Sequence, residues 1–421
     1  MLDFGREVCS DLATAERREW LVTNGIGGYA SGTVAGVLTR RYHGLLVAAL
    51  QPPVDRTLLL TKLDEIATYA GEAYPLFANR WAQGDVEPCG LHHLQRFHLE
   101  GTTPVWTFAC ADALLEKRVW MAPGANTTTI RYILSRASGP VDLHLKAIVN
   151  HRDHHGNTRA GERQLSIEPV DRGLQVIPSN GAVSLTLLSD RAEATPAHVW
   201  YRGYHLALEA YRGLSPVDDN LYAGCFEITL EPGDSVTIVA STSPAPSLDG
   251  ATAYAERRAY EEELLAQSGL DDAPDSIRHL VLAADQFVVR RALPDDPGGR
   301  SVVAGYHWFS DWGRDTMIAL PGLALTTGRA GVAARILRTF AHFVDRGMLP
   351  NRFPDRGEPP EYNTVDATLW FFEAIRTIYD TTGDADLLRD LFPVLQEIVD
   401  WHVCGTRYGI RLDPADGLLR A

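Results

Sequence analysis

The sequence contains no run of 18 apolar residues, so it has no segment long enough to form a membrane-spanning helix. Its first residues, MLDFGREVCSDLATAERREW, lack both the basic start and the apolar core of a secretory signal. The hydrophobic share of 45% is that of an ordinary globular protein, and a length of 421 residues predicts two or three domains. We therefore expect a cytoplasmic protein that does not associate with membranes.

Cysteine and positive charge are both scarce. The five cysteines are far apart and form no C-x-x-C pair, which predicts reduced thiols and argues against a zinc site. Two histidine groups also lack the spacing of metal ligands and are interpreted as surface loops: His92, His93 and His98, and His151, His154 and His155. The net charge of −15 disfavours nucleic acid and leaves neutral small molecules or glycans as the expected partners.

A glycine-rich stretch, WLVTNGIGGYASGT, has the G-x-G-x-x-A spacing of a dinucleotide-binding loop at Gly25, Gly27 and Ala30. That loop needs a buried strand before it, a helix on it and an acidic residue about 20 positions later. The flanking residues favour extended chain, and residues 48–50 include no acid. We predict strands and turns here, and no cofactor.

Residues 30–245 alternate apolar and polar side chains with a period of two, which is typical of half-buried strands. The segment CFEITLEPGDSVTIVA, for example, reads as two strands joined at Pro232-Gly233-Asp234 and predicts a hairpin. The sequence therefore predicts an antiparallel β-sandwich over residues 1–250.

The period becomes helical after residue 250. We predict a linker helix over 251–272 and then an α-domain over 273–421, whose first helix has Ile277, Leu280, Phe287 and Val288 on one stripe. Further helices are expected at the following positions: 313–327, 329–346, 365–381 and 384–403.

Short and long connections alternate in this α-domain. The short ones, TTGRA and TTGDA, begin 55 residues apart, at Thr326 and Thr381, and each has a glycine suited to ending a helix. The long ones, 294–312 and 347–364, fall at the opposite end of the stacked helical hairpins, where we expect the functional site. Six such hairpins closing into a toroid would need about 330 residues, so the chain is expected to hold an incomplete (α/α)6 toroid.

The first long loop ends in YHWFSDWGRDTMIALPG, which is rich in groups that bind sugars. Aromatic rings such as Trp308 and Trp312 offer a platform to sugar C–H faces, while Arg314 beside Asp315 can hydrogen-bond neighbouring hydroxyls. The competing interpretation is that Asp311 or Asp315 only caps a helix.

The second long loop ends in EYNTVDATLW. Asn363 is predicted to cap a helix with Asp366 at its third position, and Trp370 follows one turn later on the same face. Both motifs begin helices at the same predicted end, which favours a shared binding site.

Four segments resemble the bacterial and archaeal glycogen-debranching enzymes, the amylo-alpha-1,6-glucosidase family: WLVTNGIGGYASGT, TRRYHGLLVAAL, DWGRDTMIALPGL and YNTVDATLWF. The resemblance implies an N-terminal β-sandwich, an (α/α)6 barrel and hydrolysis of α-1,6-linked glucose at branch points of glycogen or limit dextrin. It also implies that Arg314 and Asp315 grip the terminal glucose, with Trp308 and Trp312 beside them.

The same resemblance implies an inverting mechanism with an acid and a base. The family's acid lies in a Thr-Trp-Met-Asp segment, which we expect beyond Ala421, with the base later still. The chain is therefore expected to carry part of the substrate site and to be inactive by itself. Two alternatives stay open: a glucoamylase- or trehalase-like exo-glucosidase, and a non-catalytic glycan-binding protein.

Overall fold

The computed structural model describes residues 2–270, 272–354 and 358–421. The chain divides into two compact units. Unit 1 comprises residues 1–24, 28–50 and 56–260, and unit 2 comprises residues 25–27, 51–55 and 261–421.

Unit 1 is built mainly from strands. Its strands are β1 (Asp3–Phe4), β2 (Glu19–Thr23), β3 (Tyr29–Thr33), β4 (Gly44–Gln51), β5 (Val54–Tyr69), β6 (Glu72–Pro75), β7 (Ala78–Arg80), β8 (Val86–Cys89), β9 (Leu94–Glu100), β10 (Thr103–Cys110), β11 (Ala113–Met121), β12 (Thr127–Arg136), β13 (Val141–Asp153), β14 (Leu165–Val170), β15 (Gly173–Pro178), β16 (Leu185–Ser189), β17 (Glu193–His205), β18 (Val217–Leu230) and β19 (Ser235–Ser241). Three short helices accompany them: α1 (Arg6–Cys9), α2 (Leu12–Ala15) and α3 (Ala207–Tyr211).

The strands form two large antiparallel sheets that share one apolar core. One sheet has the order β1-β9-β10-β11-β12-β19-β16-β15-β14, and the other has β17-β18-β13-β5-β4-β3-β2 with β6 beside β5. The alternation seen in the sequence explains the core, because Val141, Leu143 and Leu145 of β13 are buried while Asp142 is exposed. The predicted β-sandwich is confirmed.

The predicted hairpin at residues 225–240 is wrong. β18 pairs with β13 and β17, whereas β19 pairs with β12 and β16 in the other sheet. Phe226 and Leu230 of β18 and Ile238 of β19 are all buried in the common core. Alternation determines which face of a strand is buried, but it leaves open which strand is the partner.

The glycine-rich stretch forms strands and a turn, as predicted. β2 and β3 pair with each other, and Gly25 and Gly27 between them have φ values of 71° and 94°. A Cβ on Gly27 would lie 2.1 Å from the Pro53 carbonyl oxygen, so only glycine fits at this position.

The histidines of the sandwich differ from the surface-loop interpretation in two cases. His98 is buried in β9, and His154 is buried with its Nδ1 3.1 Å from the Arg56 carbonyl oxygen. His98 lies between Phe97 and Leu99 in a strand paired on both sides, and His154 follows the end of β13, so tertiary packing covers both rings.

Helix α4 (Gly250–Ser268) corresponds to the predicted linker helix, yet its first half packs on the sandwich. The Tyr254 ring lies 5.2 Å from the Trp120 ring, and its hydroxyl donates a hydrogen bond to Glu100. Arg118 Nη1 also donates to Glu100 at 2.9 Å. Partial burial opposes ionisation of Glu100, but these hydrogen bonds and the Arg118 charge prevail and lower its pKa. Unit 1 thus extends to Tyr260, ten residues past the predicted boundary at 250.

Unit 2 is mainly helical. After α4 it contains α5 (Asp275–Gln286), β20 (Val288–Arg290), β21 (Arg300–Val302), α6 (Gly313–Leu320), α7 (Ala330–His342), α8 (Asp366–Thr382), α9 (Ala385–Cys404), β22 (Arg411–Leu412) and β23 (Leu419–Arg420). A π-helical turn, Pro321–Leu325, continues α6. None of the helices in the described residues combines the length and apolar character needed to cross a bilayer.

The first predicted helix of this unit is too long. α5 ends at Gln286, and Val288 begins a strand that pairs antiparallel with β21. The β-branched pair Val288-Val289 favours strand, and the Pro- and Gly-containing loop that follows lets the chain return. Ile277 and Leu280 of the predicted stripe are 39% and 62% exposed, whereas Phe287 packs against the helical core.

The remaining helices form two hairpins. α6 packs against α8, α7 packs against α9, and their apolar faces share a core that includes Leu320, Phe340 and Phe371. The two TTG turns connect α6 with α7 and α8 with α9 at Gly328 and Gly383, whose φ values are 72° and 68°. Both glycines have the left-handed backbone predicted for helix ends.

Candidate functional site

The two long loops of unit 2 meet, as their alternation with short turns predicts. Gly313 N donates to the Asn351 carbonyl at 2.9 Å, and Ser310 Oγ donates to the Phe353 carbonyl at 2.9 Å. A Cβ on Gly313 would lie 2.0 Å from the Pro350 carbonyl oxygen, so a glycine is required where the loops touch. The N-termini of α6 and α8 consequently lie side by side.

The buried side chain of Asp311 anchors the first loop to the strands that precede it. Its fully buried carboxylate accepts hydrogen bonds from Arg291 Nε at 2.5 Å, Arg291 Nη2 at 2.8 Å and Ser301 Oγ at 2.8 Å. The Arg291 guanidinium also lies 4.2 Å from the centre of the Phe353 ring, on the second loop. This arrangement links both loops to β20 and β21 and positions the residues that follow Asp311.

Helix α6 presents a charged pair to solvent. Trp312 is the N-cap residue and no side chain caps the helix, so the interpretation of Asp311 or Asp315 as a cap is wrong. Arg314 and Asp315 are both exposed in the first turn. Arg314 Nη1 lies 3.6 Å from Asp366 Oδ2 at the start of α8, with both side chains more than 40% exposed.

Helix α8 begins differently from the prediction. Its N-cap residue is Val365, without a side-chain cap, and Asp366 is its first residue and not its third. Asn363 lies before the helix and accepts a hydrogen bond from Asn351 Nδ2 at 3.0 Å. Thr364 donates its hydroxyl proton to Asp366, which holds the carboxylate toward Arg314. Asn363 is therefore part of the contact between the loops.

Exposed aromatic rings lie in the same two segments as the charged pair. Trp308 and Phe309 are each 38% exposed and lie 6.0 Å apart, and Phe309 contacts the half-buried Trp312 edge-on at 5.5 Å. On α8, Trp370 is 41% exposed and lies one turn beyond Asp366. The rings supply apolar faces and the charged groups supply hydrogen bonds, which is the combination that sugars require.

Sequence reasoning missed one charged pair of this site. Arg352 Nη1 lies 3.2 Å from Glu361 Oε1, both half-exposed, and Arg352 also bridges through its backbone to Trp312 and Glu361. The spacing of Arg352 and Glu361 in the loop carries no periodic signal, because tertiary folding brings them together.

The chain combines a β-sandwich with stacked helical hairpins whose long loops carry exposed aromatic and charged side chains. A putative kojibiose phosphorylase from human microbiome shares this fold at a TM-score of 0.50 and 11% identity, with 96% of this chain and 58% of that chain covered. A bacterial glucoamylase complexed with acarbose is similar at a TM-score of 0.47 and 11% identity, over 93% and 58% of the two chains.

Residues 18–237 match the family model Glycogen debranching enzyme N terminal, and residues 282–421 match the model Amylo-alpha-1,6-glucosidase. The chain therefore belongs to the glycogen debranching enzyme family. The glycogen debranching enzyme of Saccharomyces cerevisiae is 40% identical over 81 residues, which are 18% of this chain and 5% of the yeast protein. The chain spans 58% of the length of each of the two solved structures.

Proposed function

We propose that this chain supplies substrate-binding residues for glycogen debranching, the inverting hydrolysis of α-1,6-linked glucose at branch points of glycogen or limit dextrin. The observation that carries the proposal is the charged pair of Arg314 and Asp366, which joins the N-termini of α6 and α8 beside exposed tryptophans. The type of reaction is inferred from the family to which the chain belongs.

In this proposal Arg314, Asp315 and Asp366 bind the hydroxyls of the terminal glucose. The 3.6 Å between Arg314 and Asp366 and their exposure leave both groups free to exchange part of that interaction for sugar hydroxyls. Asp315 forms no ion pair within the described part of the chain and is available as an acceptor. Trp308, Trp312 and Trp370 provide the apolar platform, and Asn363 supports the loop between them.

Inverting hydrolysis needs a proton donor for the leaving oxygen and a base that activates water on the opposite face, about 6.5 to 9.5 Å apart. The family resemblance assigns the acid to a Thr-Trp-Met-Asp segment, which does not occur in this sequence. We therefore propose that the 421-residue chain binds branched α-glucan without hydrolysing it. The reduced state of its cysteines and its family role support a cytoplasmic location.

The test is to titrate the purified chain with a 6-O-α-glucosyl maltooligosaccharide by calorimetry and to assay free glucose in parallel. Arg314→Ala or Asp315→Asn should weaken binding by roughly 10- to 100-fold, because a charge-assisted hydrogen bond contributes about 1.5 to 3 kcal/mol. Arg376→Ala is the matched control, since Arg376 forms exposed ion pairs farther along α8.

Unchanged affinity in both site variants would contradict the binding site. Glucose release abolished by Asp315→Asn would instead show that a carboxylate of this chain is catalytic. Tighter binding of maltose or trehalose than of the branched ligand would favour the exo-glucosidase alternative. If a longer chain that includes these 421 residues bound the branched ligand but released no glucose, the result would favour the alternative of a non-catalytic glycan-binding protein.

A further inference from the structure

A second group of chemically reactive side chains lies on the sandwich, on the polar face of the eight-stranded sheet. His144 of β13 is the direct cross-strand partner of Glu227 of β18, and Cys225 lies two residues before Glu227 on the same face. Glu193 of β17 is the partner of Glu227 on its other side. The antiparallel register thus gathers a histidine, a thiol and two carboxylates from three adjacent strands.

The ligand atoms are close enough to bind one ion. One nitrogen of His144, Cys225 Sγ and a carboxylate oxygen of Glu227 all lie within 4.8 Å of one another. His144 Nδ1 is 2.8 Å from Glu227 Oε1. Around a tetrahedral zinc ion, with bonds of about 2.0 to 2.3 Å, ligand atoms lie about 3 to 4 Å apart. Small side-chain rotations on a rigid sheet therefore suffice to form the site.

The two facing carboxylates of this group favour a cation. Glu193 and Glu227 are like charges directly opposite each other on adjacent strands, an arrangement that destabilises a sheet unless a positive charge lies between them. Both line an open groove together with His144. Two basic side chains lie nearby: Arg191 lines this groove with its guanidinium bound to Asp234 at 2.9 Å, and Lys146, the cross-strand partner of Cys225, has its Nζ 6.0 Å from the centre of the Tyr222 ring. Cys225 is 8% exposed, whereas the side chains of His144 and Glu227 are 41% and 50% exposed.

We propose that His144, Cys225 and Glu227 form a zinc-binding site, with Glu193 or water as the fourth ligand. The mixed nitrogen, sulfur and oxygen set suits a borderline ion such as Zn²⁺ better than Mg²⁺ or Ca²⁺, which prefer oxygen alone. On binding, the Cys225 thiol releases its proton to solvent and forms a Zn–S bond, while His144 coordinates as the neutral ring. No electron is transferred. The bound ion would fasten β13 to β18 and β17.

An ordinary cross-strand ion pair is the simpler explanation of His144 and Glu227. Such a pair, with side chains 41% and 50% exposed, contributes little, and it gives no role to Cys225 or to the opposing Glu193. The ion pair does not involve Cys225, so replacing this cysteine weakens zinc binding only if the zinc site exists.

The experiment uses the purified full chain, treated with chelator and reductant and then titrated with Zn²⁺ against a competing chromogenic chelator. One equivalent should bind, and Cys225→Ser and Glu227→Gln should each weaken binding by at least about tenfold. Cys404→Ser is the matched control, because Cys404 is an exposed free thiol on α9, and it should leave zinc binding unchanged. Zinc should raise the Tm of the parent chain but not that of Cys225→Ser.

Cobalt(II) provides a second readout that does not depend on stability. The parent chain should develop the intense visible absorption of tetrahedral, thiolate-bound cobalt, and Cys225→Ser should lose it. The proposal is overturned if Cys225→Ser binds zinc as the parent does, or if the cobalt complex has only the weak spectrum of octahedral oxygen ligation. Loss of zinc binding in Cys404→Ser alone would place the ion elsewhere and equally overturn it.

Discussion

Removing the carboxylate of Asp311 should weaken the helical unit more than any exposed charge substitution. Asp311 is fully buried and accepts three hydrogen bonds, two of them in a bidentate pair with Arg291. In Asp311→Ala the Arg291 guanidinium, which is 14% exposed, loses its counter-charge and stays largely desolvated. Breaking a buried pair in this way costs about 3 to 5 kcal/mol.

The matched control is Arg338→Ala, which removes the ion pair between Arg338 and Asp390. Its side chains are 42% and 57% exposed, so the expected cost is at most about 1 kcal/mol. The double variant Asp311→Ala/Arg291→Met should recover much of the loss, because it leaves no unpaired buried charge.

The measurement is unfolding in urea, monitored by hydrogen–deuterium exchange of peptides from residues 300–345. These peptides report on the helical unit alone. With a denaturant slope of about 2 kcal/mol per M, Asp311→Ala should lower the midpoint by roughly 1.5 to 2.5 M. A midpoint shift no larger than that of Arg338→Ala would refute the argument that this pair anchors the loops. Equal loss in the single and double variants would refute the role assigned to the unpaired charge.

Three further predictions concern the sandwich. The folded state lowers the pKa of Glu100, so this carboxylate stabilises the fold above its unfolded pKa and loses that effect as the pH falls through its folded pKa. In Glu100→Gln the Tm should therefore fall less steeply than in the parent chain when the pH is lowered below about 5. Burial raises the pKa of Cys9 and Cys110 to about 11, so alkylation at pH 7.5 should leave both intact while exposed Cys404 reacts; equal rates would contradict their burial. Limited proteolysis should yield a stable N-terminal fragment that ends after Tyr260, and a first cut within α4 before that residue would contradict its packing on the sandwich.

The sequence by itself determined the order of the two folds and the position of most elements. Alternation with a period of two predicted the buried faces of β13 and β18, because a side chain's face in a strand depends only on its parity. The glycines of the TTG turns predicted where α8 ends, because the left-handed backbone at Gly383 strongly favours glycine. These features are local, so neighbouring residues suffice to encode them.

The tertiary structure decided which strands are partners and which charges meet. β18 and β19 are adjacent in the chain but belong to different sheets, because several partners can cover the same apolar face. The helix-capping pattern of the EYNTVDATLW segment placed Asp366 at the third helical position, yet the contact between the long loops makes it the first residue of α8, opposite Arg314.

The candidate site divides in the same way. Arg314, Asp315 and the tryptophans could be recognised from residue type, because their chemistry is dense within a short segment. The pairing of Arg314 with Asp366, the pair of Arg352 with Glu361 and the buried anchor at Asp311 join residues 9 to 52 positions apart. Only the folded chain brings such residues together, because no local pattern constrains the distance between two loops.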